Sequence, residues 1–314
     1  MTLRHSSFLL TAFLFACAEA TPHAECSAGS DCVSGVCNLD GTCQPIDGAT
    51  SSSSGAGGAG GAGGSGAATS SSSSTGTGGD NACTPNNDGV ITREEIPLAA
   101  GLHATFRVAT NATIDTAGVT QADGSRVWDL SGALPGDHGV LVETLPLTGQ
   151  WFEPDFAGAT YATRLSDTEE LLGVFEVNDT ALLLRGVVSP SAGVSQTSLD
   201  YQPPAETLVF PLQEGDTFAS SSIITGTALG VFATYQEDYD SKVDAHGLLK
   251  TPFGDFQVLR VSVTLTRTLG LVTTVTRSFI FVTECFGTVA NMVSQSNEAG
   301  SEWTDAAEVR RLSP

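Results

Sequence analysis

From Cys83 onward the chain is built of short apolar segments interrupted every eight to twelve residues by Gly, Pro, Asn or Asp, the pattern of antiparallel β-structure with tight connections. Strands are predicted over residues 102–109, 112–119, 126–130, 138–143, 159–165, 171–177, 181–188, 207–211, 222–235, 247–250, 256–268, 271–283 and 288–294. The last long pair is the clearest. Leu259, Val261, Val263 and Leu265 alternate with Arg260, Ser262, Thr264 and Thr266, so one face should meet a core and the other solvent. Phe279, Ile280, Phe281 and Val282 are apolar on both faces, and Thr268-Leu269-Gly270 is the predicted turn. Arms of about 13 residues would run about 40 Å, well beyond the modal strand, so this hairpin must curve around a core. Helical patterning is confined to residues 92–96 and part of 302–311. The expectation for residues 82–314 is an all-β domain, a curved antiparallel sheet of half-barrel or barrel-like form.

Ahead of that domain the hydropathy changes three times. Arg4 and His5 precede an apolar run over residues 8–16, the charged and hydrophobic parts of an export signal. The run is too short to cross a bilayer as a helix, which takes about 20 residues. Its end, Leu14-Phe15-Ala16-Cys17, resembles the lipobox of bacterial lipoproteins, in which the signal is removed and the new N-terminal cysteine receives lipid. The resemblance implies a signal over residues 1–16, lipidation at Cys17 and a chain anchored to the membrane. Ordinary secretory cleavage near Ala18-Glu19-Ala20 is the other reading. Residues 48–81 collapse to Ser, Gly, Ala and Thr, which cannot bury enough apolar surface to offset the entropy of ordering. A flexible linker is expected there, with about 34 residues averaging roughly 30 to 35 Å end to end.

Seven cysteines divide by position. With Cys17 set aside for lipid, six remain, and export permits disulfides. Cys26, Cys32, Cys37 and Cys43 crowd into "CSAGSDCVSGVCNLDGTC", which holds almost no apolar side chains and so needs staples. Their spacings, five, four and five intervening residues, do not suit zinc, which leaves two disulfides with three possible pairings. The string resembles short "C…DC-x-SG-x-C…DG-x-C" modules behind the lipoboxes of myxobacterial cell-surface lipoproteins, and over residues 17–47 it implies a lipid-anchored disulfide knot. A rigid spacer and a small recognition module are the two roles open to it. Cys83 and Cys285 then stand at the start of the β-domain and in a late strand, where either a disulfide between them or a nucleophilic Cys285 is conceivable. A nucleophile needs a His partner, and His103, His138 and His246 are isolated in sequence, so the disulfide is expected.

The formal charge of −22, from 35 acidic and 13 basic residues including only Lys242 and Lys250 as lysines, leaves no basic stripe for phosphates and argues against a nucleic-acid partner. It keeps such a surface soluble and slow to self-associate.

"VFPLQEGDTF" (209–218), "GLLKTPFGDFQVLRV" (247–261) and "FVTECFGTVANMVS" (281–294), in that order, resemble a pattern of exported bacterial β-proteins similar to the LolA- and LppX-type half-barrels. The resemblance implies a curved antiparallel sheet around one apolar face, with Pro252 and Gly254 as turn formers and Phe253 and Phe256 in the core. The motifs are turn glycines and core aromatics, so they speak to fold and not to chemistry.

Candidate chemistry is sparse. "TPNNDGVITREE" overlays the second half of an EF-hand loop, with Asn86, Asp88, the Val90 carbonyl and Glu95 as possible calcium ligands and Gly89 at the turn. The first position is Thr84 rather than a carboxylate. The competing reading is an Asn-Asp-Gly turn followed by a short helical turn with Thr92 and Glu95 at capping-box spacing. No G-x-S-x-G or H-E-x-x-H occurs, and Glu169-Glu170 and Asp238/Asp240 read as solvated charges. The functional expectation is a non-catalytic, lipid-anchored envelope protein of the outer membrane, with its β-domain in the periplasm or at the cell surface, binding a hydrophobic ligand or envelope component. A surface adhesin or scaffold is the first alternative and a carboxylate glycosidase the second. An apolar cavity would favour a carrier; two carboxyls facing across a cleft at about 5 to 10 Å would favour a glycosidase.

Overall fold

The computed structural model describes residues 83–314. The signal, Cys17, the cysteines at 26, 32, 37 and 43, and the Gly/Ser tract lie outside the described residues.

Sixteen strands and two short 3-10 turns make up the domain. The strands are β1 (Val90–Ile91), β2 (His103–Thr113), β3 (Val119–Thr120), β4 (Arg126–Asp129), β5 (His138–Glu143), β6 (Tyr161–Arg164), β7 (Leu172–Val177) and β8 (Ala181–Val188). They continue as β9 (Ser198–Val209), β10 (Leu212–Gln213), β11 (Thr217–Ala228), β12 (Val231–Lys250), β13 (Asp255–Leu269), β14 (Val272–Thr283), β15 (Gly287–Ser294) and β16 (Asp305–Leu312). Twelve of them form one antiparallel path, β5-β2-β16-β15-β14-β13-β12-β11-β9-β8-β7-β6. The path returns on itself, because Leu145, just past β5, exchanges backbone hydrogen bonds of 2.7 and 2.9 Å with Ala162 of β6. The all-β expectation therefore holds, and the curved sheet is a nearly closed barrel.

Residues 112–119 do not form the strand expected of them: β2 runs on to Thr113, and after residues 114–118 only Val119–Thr120 are extended in pairing, as β3. Three further elements differ from the sequence reading, each for a physical reason. Residues 305–312, expected to be helical in part, form β16, because a strand is needed between β15 and β2 and tertiary pairing overrides local preference. The run 222–235 is split by Leu229-Gly230 into β11 and β12, with both turn residues at positive φ as a two-residue hairpin requires. β9 begins at Ser198 rather than 207 and passes through Pro203-Pro204, where β11 pairing with β9 has ended at Gln202 and the prolines have no ladder bond to forfeit.

β13 separates two cores. Leu259, Val261 and Val263 point to a cluster that also holds Tyr161, Phe175, Leu184, Leu199, Tyr201, Ile224 and Val243, the inward face of the curl. Val258 and Arg260 point the other way, to Trp128, Phe279, Phe281 and Met292. Alternation places Arg260 in solvent. Instead it is buried, because the segment 114–137 lies across the outer face of β12–β16 as a cover. Arg260 holds that cover by Nη1–H to the Thr116 carbonyl (2.7 Å), while its Nε and Nη2 reach Asp244 (2.9 and 2.8 Å) and Nη2 reaches Glu302 (2.7 Å). Asp244 can reach it because a bulge between Val243 and Ala245 re-aims the strand. Arg311 repeats the device, donating to the Leu130 and Gly132 carbonyls and pairing with Asp137. β4, inside the cover, pairs parallel with the end of β12, opposite Gly247. A Cβ on Gly247 would sit 1.9 Å from the Arg126 carbonyl oxygen, so only glycine admits that approach.

A second cover, residues 147–156, packs Phe152 and Phe156 against Ala162, Leu172, Val174 and Val188 on β6–β8. Elsewhere the outer wall is polar, as at Gln202, Ser221, Asp240 and Lys242. Among the described residues no helix is long and apolar enough to cross a membrane.

Candidate functional site

The segment that leads into the barrel is clasped to the β14–β15 turn. Cys83 and Cys285 form a disulfide with α-carbons 5.5 Å apart. Beside it the buried Glu284 carboxylate accepts the Asn86 and Asn87 N–H groups at 2.5 and 3.0 Å, and the Cys285 N–H donates to the Glu95 carbonyl at 2.7 Å. Cys285 lies in the turn itself, at φ 68°, and not in a strand as expected. Sequence reasoning misses Glu284, since nothing local marks a carboxylate whose partners are some 198 residues away.

The four residues expected to ligate calcium are neighbours, but Glu95, Asn86 and Asp88 spend side-chain oxygens on donors of the same segment. Glu95 Oε2 accepts the Thr92 N–H at 2.8 Å and its hydroxyl at 3.0 Å, and Oε1 accepts Asn86 Nδ2–H at 2.9 Å. The Asn86 Oδ1 caps the Asp88 N–H and the Asp88 Oδ1 caps the Val90 N–H, both at 2.9 Å. This is the turn-and-cap arrangement. Among the described residues no group of three or more His, Cys, Asp or Glu is placed to hold a metal. Glu95→Ala should cost about 1 kcal/mol, the worth of a lost cap, and Glu95→Gln, which retains the acceptor, much less. Calcium at about 10 mM, beyond the range of weak extracellular modules, should leave the melting temperature of both variants and the wild type where it was. A rise in Tm that Glu95→Gln removes would establish the calcium site instead.

Two clefts of about 540 and 530 Å³ lie on the surface. The first, lined by residues 146–148, 153–154 and 156–160, has Glu153 as its only acid; the second, across β11–β13, contains Asp240 beside Lys242. Neither brings two carboxyls to face each other, the geometry that glycoside hydrolysis needs. Glu169 and Glu170 are exposed, and Asp238 is held by the Ser221 hydroxyl and Gln236, which lower its pKa.

The most concentrated polar chemistry lies inside the barrel, where Tyr235, Glu237 and Tyr239 of β12 alternate inward with period two. The Glu237 carboxylate is fully buried and accepts Tyr201 Oη–H (3.0 Å), Tyr239 Oη–H (2.6 Å), Arg267 Nε–H (2.8 Å) and Arg267 Nη2–H (2.7 Å), while Arg267 lies over the Tyr235 ring. Burial, followed by the charge and hydroxyl neighbours, pushes the phenols of Tyr201 and Tyr239 far above their usual value, so both remain donors. With every carboxylate oxygen occupied and no exposed surface, Glu237 has no route to a substrate and serves as a polar strut. The signal is legible as "YQEDY" at residues 235–239, and alternation alone could have found it.

Around the seam, Glu308 of β16 accepts Ser166 Oγ–H (2.9 Å), the Asp167 N–H (3.0 Å) and Arg310 Nε–H (2.5 Å), and His138 of β5 meets Asp167 at 2.7 Å. The loop after β6 is thereby fastened to both β5 and β16. Phe253, expected in the core, is 41% exposed and stacks on Phe256, with Phe286 edge-on to both. It lies in the β12–β13 turn, beyond the reach of either core.

The rest of the inward face is filled. Ile224, Val243, Val261 and Val282 have no exposed surface at all, leaving no room for a water molecule against them. Compared with known protein families, curated proteins and solved structures, the chain matches none.

Proposed function

We propose that this is a lipid-anchored cell-envelope protein, held at Cys17, whose β-domain is a displayed, non-catalytic scaffold that binds through its surface and carries nothing inside. The observation that carries this reading is the filled interior. A carrier of a hydrophobic ligand needs an apolar cavity of several hundred cubic ångströms, and the inward side chains of β8, β9, β11, β12, β13 and β14 close on one another instead. The clasp at Cys83–Cys285 supports display, because it fixes the domain at the point where the chain arrives from its N-terminal region. Neither surface cleft sets two carboxyls face to face, which favours scaffold over glycosidase.

The test is made on protein purified from envelopes. Solvent extraction should recover less than about a tenth of an equivalent of non-covalent lipid, since a filled interior offers no cavity to hold it, and Cys17→Ser should move the protein from the membrane to the soluble fraction. One equivalent of extractable lipid would return the carrier reading; retention of Cys17→Ser in membranes would remove the anchor.

A further inference from the structure

One end of the barrel gathers exposed apolar side chains on segments that carry no charge. Three connections lie at that end: the β8–β9 loop, the β11–β12 turn and the β13–β14 turn. The first two are joined, since the Leu229 N–H donates to Thr197 Oγ1 (3.1 Å) and the Gly230 N–H to the Gln196 carbonyl (3.0 Å). The third is adjacent because β12 and β13 pair from Gln236/Thr268 downward. Their tips expose Val194, Leu229, Phe232, Leu269, Leu271 and Val272, with Val194 and Leu271 fully open to solvent.

The tips are also free of charge. No Asp, Glu, Lys or Arg occurs in residues 186–199, 217–236 or 268–276, in a chain whose net charge is −22. The first charged groups along β12 and β13 from the tips are Glu237 and Arg267, and they neutralise each other. Arg267 sits three residues from Gly270, about 10 Å at the rise of a strand, with half of its side chain in water.

We propose that these three tips form a membrane-docking surface, inserting their apolar side chains into the interface of a phospholipid bilayer while the Arg267 edge lies at phosphate depth. On the β13–β14 side this distance matches the roughly 5 to 10 Å reached by interfacial apolar groups, and the β11–β12 hairpin projects further, by the seven residues from Glu237 to Gly230. A neutral end is what an acidic protein needs to approach lipid phosphates without repulsion. A second copy of the chain fits poorly. Six side chains on three projecting tips fall far short of the roughly 20–30 residues a side of a stable interface. The proposal goes beyond display by an anchor and does not require lipid at Cys17.

The experiment uses full-length protein with vesicles of zwitterionic phosphatidylcholine, with and without brominated acyl chains. Phe232→Trp supplies a tip reporter and Phe253→Trp a turn reporter between β12 and β13, each read as a difference from the wild type. Added emission from the tip reporter should shift blue and be quenched by brominated lipid, and emission from the turn reporter should not. Leu229→Asp with Leu271→Asp should abolish quenching of the tip reporter, and in the Cys17→Ser background should lower vesicle partitioning at least about tenfold, since each buried leucine contributes on the order of one decade. Vesicle-bound protein with an unquenched tip reporter overturns the proposal and leaves the anchor intact. A quenched tip reporter in Cys17→Ser protein upholds the proposal without the anchor. Loss of all vesicle binding in wild type removes both, and a doubled mass in solution that the double Asp variant abolishes assigns the tips to self-association instead, which also overturns it.

Discussion

Replacing Cys83 and Cys285 together by serine should lower the unfolding free energy by about 5 kcal/mol, the largest change expected from any substitution in the domain. The two cysteines are 202 residues apart in sequence, and closing a loop of that size removes denatured-state entropy on this scale in the chain-entropy model. The remaining clasp softens the local consequence without removing it. Glu284 still accepts two N–H groups, and the backbone N–H at position 285 still reaches the Glu95 carbonyl, but each such bond is worth only about 1 kcal/mol net. Residues 83–96 should therefore fray first, with Ile91 and Ile96 withdrawing from the inner core to which both belong. Denaturant unfolding measures the global loss, and hydrogen exchange over 83–96 the local one. A loss under about 1 kcal/mol, the worth of a single hydrogen bond, with unchanged exchange would mean that Glu284 and the β1–β10 pairing hold the segment unaided.

Arg260→Met should cost about 3 kcal/mol and release the cover 114–137. A buried ion pair broken from one side costs about 3 to 5 kcal/mol because uncompensated charge is left behind. The lower end applies here, since Asp244 and Glu302 keep 21% and 34% of their side-chain surface in water. Part of the cost falls on a neutral group, the Thr116 carbonyl, which would keep only Trp128 Nε1–H (3.0 Å). The guanidinium also packs 4.1 Å from the centre of Phe279 and 5.5 Å from that of Trp128. Arg260→Lys should recover less than half of the loss, because a single ammonium cannot span two carboxylates and a carbonyl in one plane. Trp128 and Trp303 emission should move red at a lower denaturant concentration than the inner core unfolds. A variant within about 1 kcal/mol of wild type, well short of the cost of a broken buried pair, with tryptophan emission unchanged, would show that apolar contact alone secures the cover.

The strands of the barrel are legible wherever apolar and polar residues alternate, and residues 255–283 are the best instance. Alternation reports that a face is buried but not by what. Arg260 illustrates this: its polar neighbours on the same face, Ser262 and Thr264, reach the partly open outer wall, whereas it lies under a segment more than a hundred residues earlier in the chain. Residues 302–311 mislead for a related reason. Glu302, Glu308, Arg310 and Arg311 resemble a solvated helical face in isolation, yet Glu302 meets Arg260, Glu308 fastens the loop after β6, Arg310 donates to the Arg164 carbonyl at the end of β6, and Arg311 meets Asp137.

What the sequence by itself determined was the all-β class, the positions of most strands, the pairing partner of Cys83 by elimination, and the absence of short catalytic motifs. All of these depend on local chemistry or on counting. Only the tertiary structure decided that the sheet returns on itself at Leu145 and Ala162, that Glu237 is enclosed by two tyrosines and an arginine, and that three uncharged tips lie at one end. Each of these depends on register. Strand pairing brings together residues tens to hundreds of positions apart, and a shift of one residue would turn every side chain to the opposite face.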